Sequence, residues 1–577
     1  MARLNDEVGA LLQEYADLIL LTGGNAFRAR SYEKAARSVG GYSEDLAHLD
    51  EEGIHKIPGV GDSTAAKIAE YLATKHIAAL DKLRAQVPPG VREITSIPTV
   101  GPKTAVQLYR QLGIKSVDEL RAAIDADKVK GLPGLGARAV ENIRQGIDQV
   151  SRAGRRSLLS TALDLAEELV AAISEVPGCT RCAYAGSLRR MRETVGDVDI
   201  LATARDSAPL MAALRDRPDV ADVIGSGPTK TSVRTAKGLQ VDLRVVPTAD
   251  WGAALMYFTG SRAHNIKLRG RAVKAGMKLS EYGLFDVETG KKLASRTEKE
   301  VYAALGLPLI PPTLREDRGE IEAALDGELP DLVTLKDLRG DLHTHTDLTD
   351  GLAPLEAMLE AAAGLGYAYY AVTDHAPNLA MQRMTDDKML AQRERARALD
   401  RTYHGMRVLH GTELNIDADG GVDWPADFLA GFDICVASIH SSFNLDRGAQ
   451  TRRLIRACEN PFINIIGHPT TRLLDRREPI DVDLDAVFAA AGRTGTALEL
   501  NSSPHRLDLN DEQIMAARRH GVRFAVDSDA HSVPQLVGNQ RFGVATAQRG
   551  WLGKDDVINT WSLTRLRRFL RKSAVRE

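Results

Sequence analysis

Gly186-Ser-Leu-Arg-Arg-Met-Arg-Glu-Thr-Val-Gly-Asp-Val-Asp-Ile-Leu201 joins a glycine–serine turn to two aspartates that are two positions apart. On a β-strand, Asp197 and Asp199 point to the same face, whereas Val198 between them points into the core. Asp242 lies in a second β-rich run and supplies a third carboxylate from a neighbouring strand. Because convergent carboxylates repel one another, they are tolerated mainly around divalent cations, here two Mg²⁺ or Mn²⁺. The stretch therefore predicts an α+β domain with a two-metal site for in-line phosphoryl transfer.

The turn at the start of this stretch suits a triphosphate. Gly186 lets the backbone approach the phosphates, and Ser187 and Arg190 can donate hydrogen bonds to them. An isolated Asp-x-Asp usually belongs to a surface strand, but here the turn lies eleven residues upstream of the first aspartate. The combination predicts a nucleotide-binding site.

Three short segments before this domain repeat one pattern and each opens an Ala-rich helical run. They are Ile57-Pro-Gly-Val-Gly61, Ile97-Pro-Thr-Val-Gly101 and Leu132-Pro-Gly-Leu-Gly136. Such a turn presents backbone amides at a helix N-terminus, which suits a phosphate oxygen. The segments look like helix-hairpin-helix motifs, so we predict α-helical hairpins that contact the DNA backbone through Gly59, Gly61, Val100, Gly101, Gly134 and Gly136. The alternative is a plain αα-hairpin turn, and Thr99 weakens the second copy.

Apolar runs alternate with helical segments in the C-terminal part of the chain. The runs are 338–342, 368–373, 406–411, 432–439, 462–467, 496–501 and 522–527. Strands that alternate with helices pair in parallel, and seven such units predict a barrel. In a barrel of this kind the functional side chains gather at the C-terminal ends of the strands.

Residues that can bind metal ions follow these runs. They are His343, His345, Asp350, His375, Glu413, His440, His468, Asp529 and His531. A single histidine there is usually a buried structural residue, but six of the 14 histidines lie just beyond predicted strand ends. Imidazole mixed with carboxylate favours Mn²⁺, Zn²⁺ or Fe²⁺ over Mg²⁺. The pattern predicts a second metal centre.

The composition is that of ordinary globular domains without a membrane segment. Of 577 residues, 44% are hydrophobic and 27% charged. The four cysteines do not suffice for a disulfide framework, and Cys179-x-x-Cys182 lacks nearby partners for zinc, which fits a reducing, cytoplasmic setting. The net charge of −3 argues mildly against a nucleic-acid partner, but residues 101–160 hold 11 basic against 6 acidic residues. Residues 251–300 hold 10 against 5, so positive charge is concentrated locally, although a solvated basic face explains either stretch equally well.

The stretch 186–201 resembles the nucleotidyltransferase palm of X-family DNA polymerases. A second segment, Tyr257-Phe-Thr-Gly-Ser261, resembles the nucleotide-binding segment of that family. The resemblance implies that Asp197 and Asp199 hold both metals and that Asp242 serves the metal that activates the primer 3′-hydroxyl. It also implies a nucleotide site made of Gly186, Ser187, Arg190, Gly196, Tyr257, Phe258, Gly260, Asn265 and Arg269.

The N-terminal region resembles the small lyase domain of the same family. There, a lysine of the first hairpin forms a Schiff base with a 5′-deoxyribose phosphate. Lys67, six residues after Gly61, matches that position and is the expected catalytic lysine. A lysine on a DNA-facing helix is more often a phosphate contact, so both roles stay open.

The segments GDLHTHTDLTDG, VTDHAP, GTELNI, ASIHSSF, IGHPTTRLL and DSDAHS resemble the polymerase-and-histidinol-phosphatase (PHP) superfamily. The resemblance implies a distorted (β/α)₇ barrel with up to three Mn²⁺, Zn²⁺ or Fe²⁺ ions, and every ligand position is filled. Thr349, Asn415 and Thr471 depart from the pattern without removing a ligand. The implied activity is a 3′-to-5′ exonuclease, with apurinic-site endonuclease activity as a further implication. Arg472 can assist by contacting phosphate.

The resemblance covers essentially the whole chain and predicts its domain order. The predicted domains are a helical lyase-like domain (1–85), helical fingers (86–157), the palm (158–252), a thumb (253–315), a linker (316–337) and the PHP barrel (338–577). We expect a cytoplasmic monomer that uses deoxynucleoside triphosphates to fill gapped or primed DNA during repair. Two alternatives stay open: a repair nuclease whose palm only binds DNA, and a phosphatase of the histidinol-phosphate type.

Overall fold

A computed structural model describes residues 4–40, 42, 46–87, 89–95, 97, 100–153, 156–379, 384–474 and 476–572. Within these residues the chain forms a helical N-terminal region, a palm with a five-stranded sheet, a thumb with a three-stranded sheet, and a C-terminal barrel. The predicted fold class is therefore confirmed. Pro98 and Thr99 of the second repeated segment lie outside the described residues.

The N-terminal region is helical because its apolar residues recur at helical spacing and the repeated segments begin new helices. Gly61 and Gly101 are the N-cap residues of α4 (Asp62–Thr74) and α7 (Pro102–Leu112), and both have an extended backbone conformation. Leu12, Ile68 and Leu108 are fully buried in the shared core. The helices are α1 (Leu4–Leu21), α2 (Ala26–Gly40), α3 (Glu51–His55), α4 (Asp62–Thr74), α5 (Ala78–Arg84), α6 (Pro89–Ile94), α7 (Pro102–Leu112), α8 (Val117–Asp125) and α9 (Ala137–Ala153).

The palm is built on a sheet with the strand order β2-β4-β7-β6-β5, and a separate pair joins β1 to β3. Over the first four residues of β4 (Asp197–Ala204), burial alternates as predicted, with Val198 and Ile200 in the core and Asp197 and Asp199 half-buried. The strands are β1 (Ser157–Leu158), β2 (Cys179–Tyr184), β3 (Thr194–Val195), β4 (Asp197–Ala204), β5 (Val220–Ser226), β6 (Lys230–Thr235) and β7 (Gln240–Val246). The helices are α10 (Leu159–Ser174), α11 (Gly186–Arg189) and α12 (Ala208–Arg215).

The thumb follows directly, and the segment predicted as a linker is ordered. Residues 316–337 contain α16, and Val333 is fully buried against the barrel core. The helices are α13 (Trp251–Thr259), α14 (Arg262–Lys274), α15 (Glu298–Ala304) and α16 (Glu320–Asp326). The strands are β8 (Met277–Ser280), β9 (Gly283–Asp286) and β10 (Lys292–Ala294).

The C-terminal sheet contains seven parallel strands in sequence order, and a bridge between Thr344 and Ala530 joins the segments that follow its first and last strands. Each predicted apolar run holds one strand, because strands covered on both faces must be apolar throughout. The strands are β11 (Gly340–Asp341), β12 (Tyr369–Val372), β13 (Arg407–Asn415), β14 (Ile434–Ser438), β15 (Ile465–Ile466), β16 (Ala497–Asn501) and β17 (Phe524–Asp527). The helices are α17 (Leu355–Gly364), α18 (Asp386–Asp400), α19 (Ala426–Leu429), α20 (Arg447–Glu459), α21 (Leu484–Thr494), α22 (Asp511–Arg518), α23 (Val533–Gly538), α24 (Gln540–Arg549) and α25 (Leu563–Leu570).

The barrel docks directly on the palm. Leu507 and Phe542 of the barrel belong to the same buried apolar cluster as the palm core. Arg541 on α24 pairs with Asp164 and Glu167 on α10 at 2.9 and 3.2 Å. Apolar burial and ion pairs thus hold the two domains together. Among the described residues, no helix combines the length and hydropathy that a bilayer-spanning segment requires.

Two candidate metal centres

The three aspartates predicted to bind metal lie side by side in the palm sheet. β4 pairs with β7 in parallel, so Asp199 lies opposite Asp242, and Asp197 lies two residues earlier on β4. A carboxylate oxygen of each aspartate lies within 4.8 Å of those of the other two. The palm therefore offers three oxygen ligands to one position, as a hard divalent cation requires.

The glycine of the predicted phosphate turn contacts this cluster. Gly186 has a φ of +64°, and a Cβ atom added there would lie 2.3 Å from Asp199 Oδ2. The backbone N–H of Ala185 donates to the carbonyl oxygen of Asp199 over 2.8 Å, which fastens the turn to β4. The glycine–serine turn and the Asp-x-Asp pair are therefore one structural unit, and any side chain at 186 would displace a carboxylate.

Burial is the largest influence on the three palm carboxylates, and repulsion between them adds to it at Asp197 and Asp199. Burial raises the pKa of Asp199 to about 7, and the charges of Asp197 and Asp242 add to this rise. Burial and Asp242 also raise the pKa of Asp197. Burial acts in the same direction on Asp242, but hydrogen bonds from Lys230, Ser232 and Gln240 together lower that pKa, and Lys230 Nζ lies 2.6 Å from Oδ2. One lysine does not balance three carboxylates, so the donor set fits divalent cations.

The residues predicted to face the nucleotide form a connected segment at the end of α13. Asn265 Nδ2 donates to the carbonyl oxygen of Tyr257 over 2.6 Å. Gly260 is required there, because a Cβ atom would lie 2.5 Å from Asn265 Oδ1. The Phe258 ring lies under the guanidinium of Arg244, 4.7 Å from its centroid. The segment is thus held by the same sheet that carries Asp242.

Arg190, predicted to bind the triphosphate, is engaged elsewhere in this structure. Its Nε donates to Glu316 Oε1 over 3.0 Å, and its NH1 donates to the carbonyl oxygen of Thr259 over 2.8 Å. Its role therefore stays a prediction that requires the guanidinium to exchange partners. Of the remaining predicted nucleotide contacts, Ser187 and Gly196 are half-buried and Arg269 is exposed.

The three repeated segments share one backbone hydrogen bond. The N–H groups of Val60, Val100 and Leu135 donate to the carbonyl oxygens three residues earlier over 3.0, 2.9 and 2.9 Å. These three apolar side chains are buried. Val100 therefore supports its loop, whereas the five predicted glycines are exposed and leave the outer surface open to a DNA backbone; they are Gly59, Gly61, Gly101, Gly134 and Gly136.

Lys67 lies on α4 beside the first of these turns. Its Nζ donates to the carbonyl oxygen and Oγ of Ser63 over 2.9 and 3.1 Å. The same ammonium lies 5.3 Å from the ring centroids of both Tyr15 and Tyr32. Tyr32 Oη is itself 2.9 Å from Ser63 Oγ. The lysine is thus held in a defined position on the first hairpin.

All nine predicted barrel ligands converge. Three overlapping groups each bring one ligand atom per residue to within 4.8 Å: His345, Asp350, His375 and His531; His343, His345 and Asp529; and His375, Glu413 and His440. His468 Nε2 lies 3.0 Å from Glu413 Oε1 and so joins the third group. One position differs from expectation, because Glu413 lies inside β13 rather than beyond its end.

Polar residues that the sequence analysis did not select fix these ligands. His343 Nδ1 lies 2.6 Å from Glu499 Oε1, and His440 Nδ1 lies 2.8 Å from Asn415 Oδ1. A partner on Nδ1 fixes the ring and leaves Nε2 for a metal. Glu499 had a detectable signal, since it is a lone charge within the apolar run 496–501.

The charge balance of the barrel centre also fits metal ions. Burial acts to lower the pKa of His375, but Glu413 and Asp350 raise it to about 10. Asp350 likewise overcomes burial and raises the pKa of His531 to about 9. The carboxylates thus favour positive charge at this centre, and bound metal ions can supply that charge. Among the described residues, buried Nδ1 atoms of His345 and His468 lack hydrogen-bond partners.

Arg506 is a basic residue at this centre that the sequence analysis also missed. Its Nε lies 3.6 Å from Asp529 Oδ2. Its buried NH1 has no hydrogen-bond partner among the residues described. A guanidinium with an unused donor beside metal ligands can bind an anionic substrate group.

Comparison with known protein families matches four regions of the chain. The family model for the DNA polymerase beta thumb matches residues 254–316, and the PHP domain model matches 341–503. A helix-hairpin-helix domain matches residues 3–77, and a SAM-like helix-hairpin-helix tandem matches 91–149. In chain order, the matches are two helix-hairpin-helix regions, the thumb and the PHP domain.

One relative spans nearly the whole chain. The DNA polymerase/3′-5′ exonuclease PolX of Bacillus subtilis is 36% identical over 566 residues, which cover 98% of each protein. The chain belongs to the bacterial X-family DNA polymerases with a C-terminal PHP domain. DNA polymerase lambda of Rattus norvegicus is 30% identical over 324 residues, or 51% of this chain and 53% of that protein. A probable phosphatase of a Thermoanaerobacter species is 30% identical over 234 residues, covering 38% of this chain and 89% of its own.

Proposed function

We propose that the chain is a DNA-directed DNA polymerase that fills short gaps during DNA repair and carries a metal-dependent 3′-to-5′ exonuclease in its barrel. The observation that carries the proposal is the contact between Gly186 and Asp199, which joins a phosphate turn to three convergent carboxylates. Five exposed glycines in the three hairpin turns give the helical region a surface for the DNA backbone. The name of the Bacillus subtilis relative combines the same two activities.

The residues of each centre divide the chemistry. In the palm, Asp197, Asp199 and Asp242 hold two Mg²⁺ or Mn²⁺, while Gly186 leaves room for the Asp199 carboxylate. In the barrel, up to three Mn²⁺, Zn²⁺ or Fe²⁺ ions have nine ligands. When bound, such ions supply the positive charge that activates a nucleophile and stabilises the phosphoryl group under attack. Glu499 and Asn415 hold the ligand imidazoles, and Arg506 offers a donor to the phosphodiester.

The test is a separation of activities on gapped DNA with Mg²⁺ or Mn²⁺. Asp197→Ala is expected to abolish synthesis and retain degradation, whereas Glu413→Ala is expected to retain synthesis and abolish degradation, including cleavage at apurinic sites. If Asp197→Ala still extends the primer, the polymerase assignment is wrong. Turnover of phosphate monoesters without any cleavage of DNA would favour a phosphatase instead.

A second activity is proposed for Lys67, namely removal of a 5′-deoxyribose phosphate through a Schiff base. The observation that favours it is the fixed position of its amine between Ser63 and two tyrosine rings on the first hairpin. Borohydride is expected to trap the wild-type protein on gapped DNA with a 5′-deoxyribose phosphate, and not Lys67→Ala. Lys34 is the matched control, because it packs against Gly59 of the same hairpin. If borohydride traps Lys67→Ala and Lys34→Ala on the DNA to the same extent, Lys67 does not form the Schiff base and only contacts phosphate.

A further inference from the structure

Arg549, the last residue of α24 in the barrel, reaches into the palm and is only 4% exposed. Its NH1 donates to the carbonyl oxygen of Arg190 over 2.7 Å and to Glu316 Oε1 over 2.9 Å. Its NH2 donates to Asp511 on the barrel itself. Arg549 of the barrel therefore hydrogen-bonds to the phosphate turn of the palm and also to Glu316, the acid that binds the side chain of Arg190 in that turn.

Glu316 is the shared element in this arrangement. Its Oε1 accepts hydrogen bonds from Arg190 Nε over 3.0 Å and from Arg549 NH1 over 2.9 Å. The side chains of Glu316 and Arg190 are both largely buried, so salt screens these contacts weakly. One carboxylate oxygen is thus shared by two hydrogen-bonded guanidinium groups, while the guanidinium of Arg192 lies farther away at 3.8 Å. The hold of Glu316 on Arg190 depends on whether Arg549 is present.

We propose that Arg549 is a positioning residue for nucleotide binding: by competing for Glu316, it lets Arg190 leave for the triphosphate. This inference rests on the proposed polymerase function and on a phosphate-binding role for Arg190. It makes the barrel part of the nucleotide site, although the barrel contributes no atom to it. Without Arg549, Glu316 binds Arg190 more tightly, and nucleotide binding becomes weaker. Without the charge of Glu316, Arg190 is released, and nucleotide binding becomes stronger.

The opposite signs separate this role from a structural one. If the cluster only held two domains together, both substitutions would loosen the phosphate turn and weaken nucleotide binding. The protein can tolerate the loss of Arg549, because Asp511 keeps its ion pair with Arg318 at 2.9 Å and Glu316 keeps Arg190. Both acids of this cluster therefore keep a cationic partner. An unpaired buried charge is the main cause of severe destabilisation in such clusters, and this substitution does not create one.

Arg541 provides a matched control on the same helix. It pairs with Asp164 and Glu167 of the palm, so it also links barrel to palm, but it is 35% exposed and these acids lie on α10. Arg541→Ala therefore weakens docking without changing the competition for Glu316.

The experiment measures single-nucleotide incorporation on gapped DNA with Mg²⁺, using the full chain. Arg549→Ala is expected to raise the KM for the nucleotide roughly fivefold with kcat little changed, a change that corresponds to about 1 kcal/mol. Glu316→Gln is expected to lower that KM, Arg549→Lys to lie between wild type and Arg549→Ala, and Arg541→Ala to match wild type. Exonuclease rates measured on the same preparations are expected to stay unchanged.

Provided that the wild type incorporates nucleotides, either of two results overturns the inference. One is a shift of the nucleotide KM in the same direction in Arg549→Ala and Glu316→Gln. The other is a nucleotide KM in Arg549→Ala that equals that of Arg541→Ala. Should Arg549→Ala fail to fold, Arg549→Lys and Glu316→Gln carry the same comparison. A wild-type protein that incorporates no nucleotide contradicts the proposed function itself, which distinguishes the two failures.

Discussion

Arg472 of the barrel donates to Glu193 of the palm over 2.7 Å, and each of the two residues lies in a segment that also carries a predicted metal ligand. Glu193 precedes Asp197 by four residues, and Arg472 follows His468 by four. The same guanidinium donates to the carbonyl oxygens of Arg506 and Leu507. The contact therefore fastens the loop of Arg506 as well as the two domains.

We expect Arg472→Ala to destabilise the protein more than Glu193→Gln does. Loss of Arg472 removes the donor for two carbonyl oxygens, each costing about 1–3 kcal/mol when left unsatisfied in a buried site. Glu193 is partly exposed and keeps access to water, so its replacement costs little. Thermal unfolding of both variants checks the order. Equal shifts of Tm would mean that the ion pair, and not the loop, carries the energy.

Gly186→Ala is expected to abolish synthesis and leave degradation intact. The added Cβ would lie 2.3 Å from Asp199 Oδ2, in addition to the strain of a side chain at a φ of +64°. Gly178→Ala is the matched control, because Gly178 has a φ of +92° with open space around it. Primer extension and exonuclease assays on both variants provide the measurement. A comparable loss of synthesis in Gly178→Ala would show that backbone strain alone, without the clash, explains the effect.

The raised pKa of Asp199 makes metal affinity in the palm dependent on pH. Burial and the neighbouring aspartates raise this pKa to about 7, so below that pH the ligand is protonated. We expect the affinity of the palm for Mg²⁺ to rise with pH up to about 7 and then to level off. The measurement is the rise in Tm that Mg²⁺ causes in the wild type and in Asp199→Asn at each pH. Because both proteins have the same barrel, the difference between the two rises reports on the palm site. A wild-type difference that is flat from pH 5 to 8 would contradict the shift.

Without metal, the same shift has the opposite consequence for folding. Asp199 holds its proton in the folded state up to about pH 7 but loses it near 3.8 when unfolded. Its contribution to stability is therefore full below the unfolded pKa and is lost as the pH rises through 7. In EDTA, we expect Tm of the wild type to fall relative to Asp199→Asn between pH 4 and 7. A relative rise of Tm across this range would show that the sign is wrong.

Much of the fold and most of each site could be predicted because the signals are local. Asp197 and Asp199 alternate with core residues on one strand, and the buried parallel strands are continuous apolar runs. Eight of the nine barrel ligands lie within their own strand or up to four residues after it, and Asp350 lies in the loop after β11, so strand positions also locate most ligands. Parallel pairing then brings ligands from distant segments to one end of the barrel.

The contacts that couple the domains could not be predicted in this way. Glu316 and Arg549 are 233 residues apart, and neither lies in a repeated pattern. The acidic, proline-containing segment 316–337 is typical of a linker. In the structure, its first acid is instead buried, because Arg190 and Arg549 arrive from other domains to neutralise it. Ion pairs of this kind depend on how folded domains dock on one another, and the local periodicity of the sequence carries no information about this docking.

Glu499→Gln is expected to reduce the metal content of the barrel without unfolding it. Glu499 accepts a hydrogen bond from His343 Nδ1 and another from the backbone N–H of His468. A glutamine keeps the shape but removes the charge that fixes the His343 tautomer, and losses of such partners typically weaken metal binding about 10- to 100-fold. Elemental analysis after dialysis against limiting Mn²⁺ or Zn²⁺ measures the change independently of activity. Glu459→Gln, at an exposed ion pair with Arg493, is the control and is expected to keep its metal. Unchanged metal content in Glu499→Gln would mean that the strand ends alone position His343.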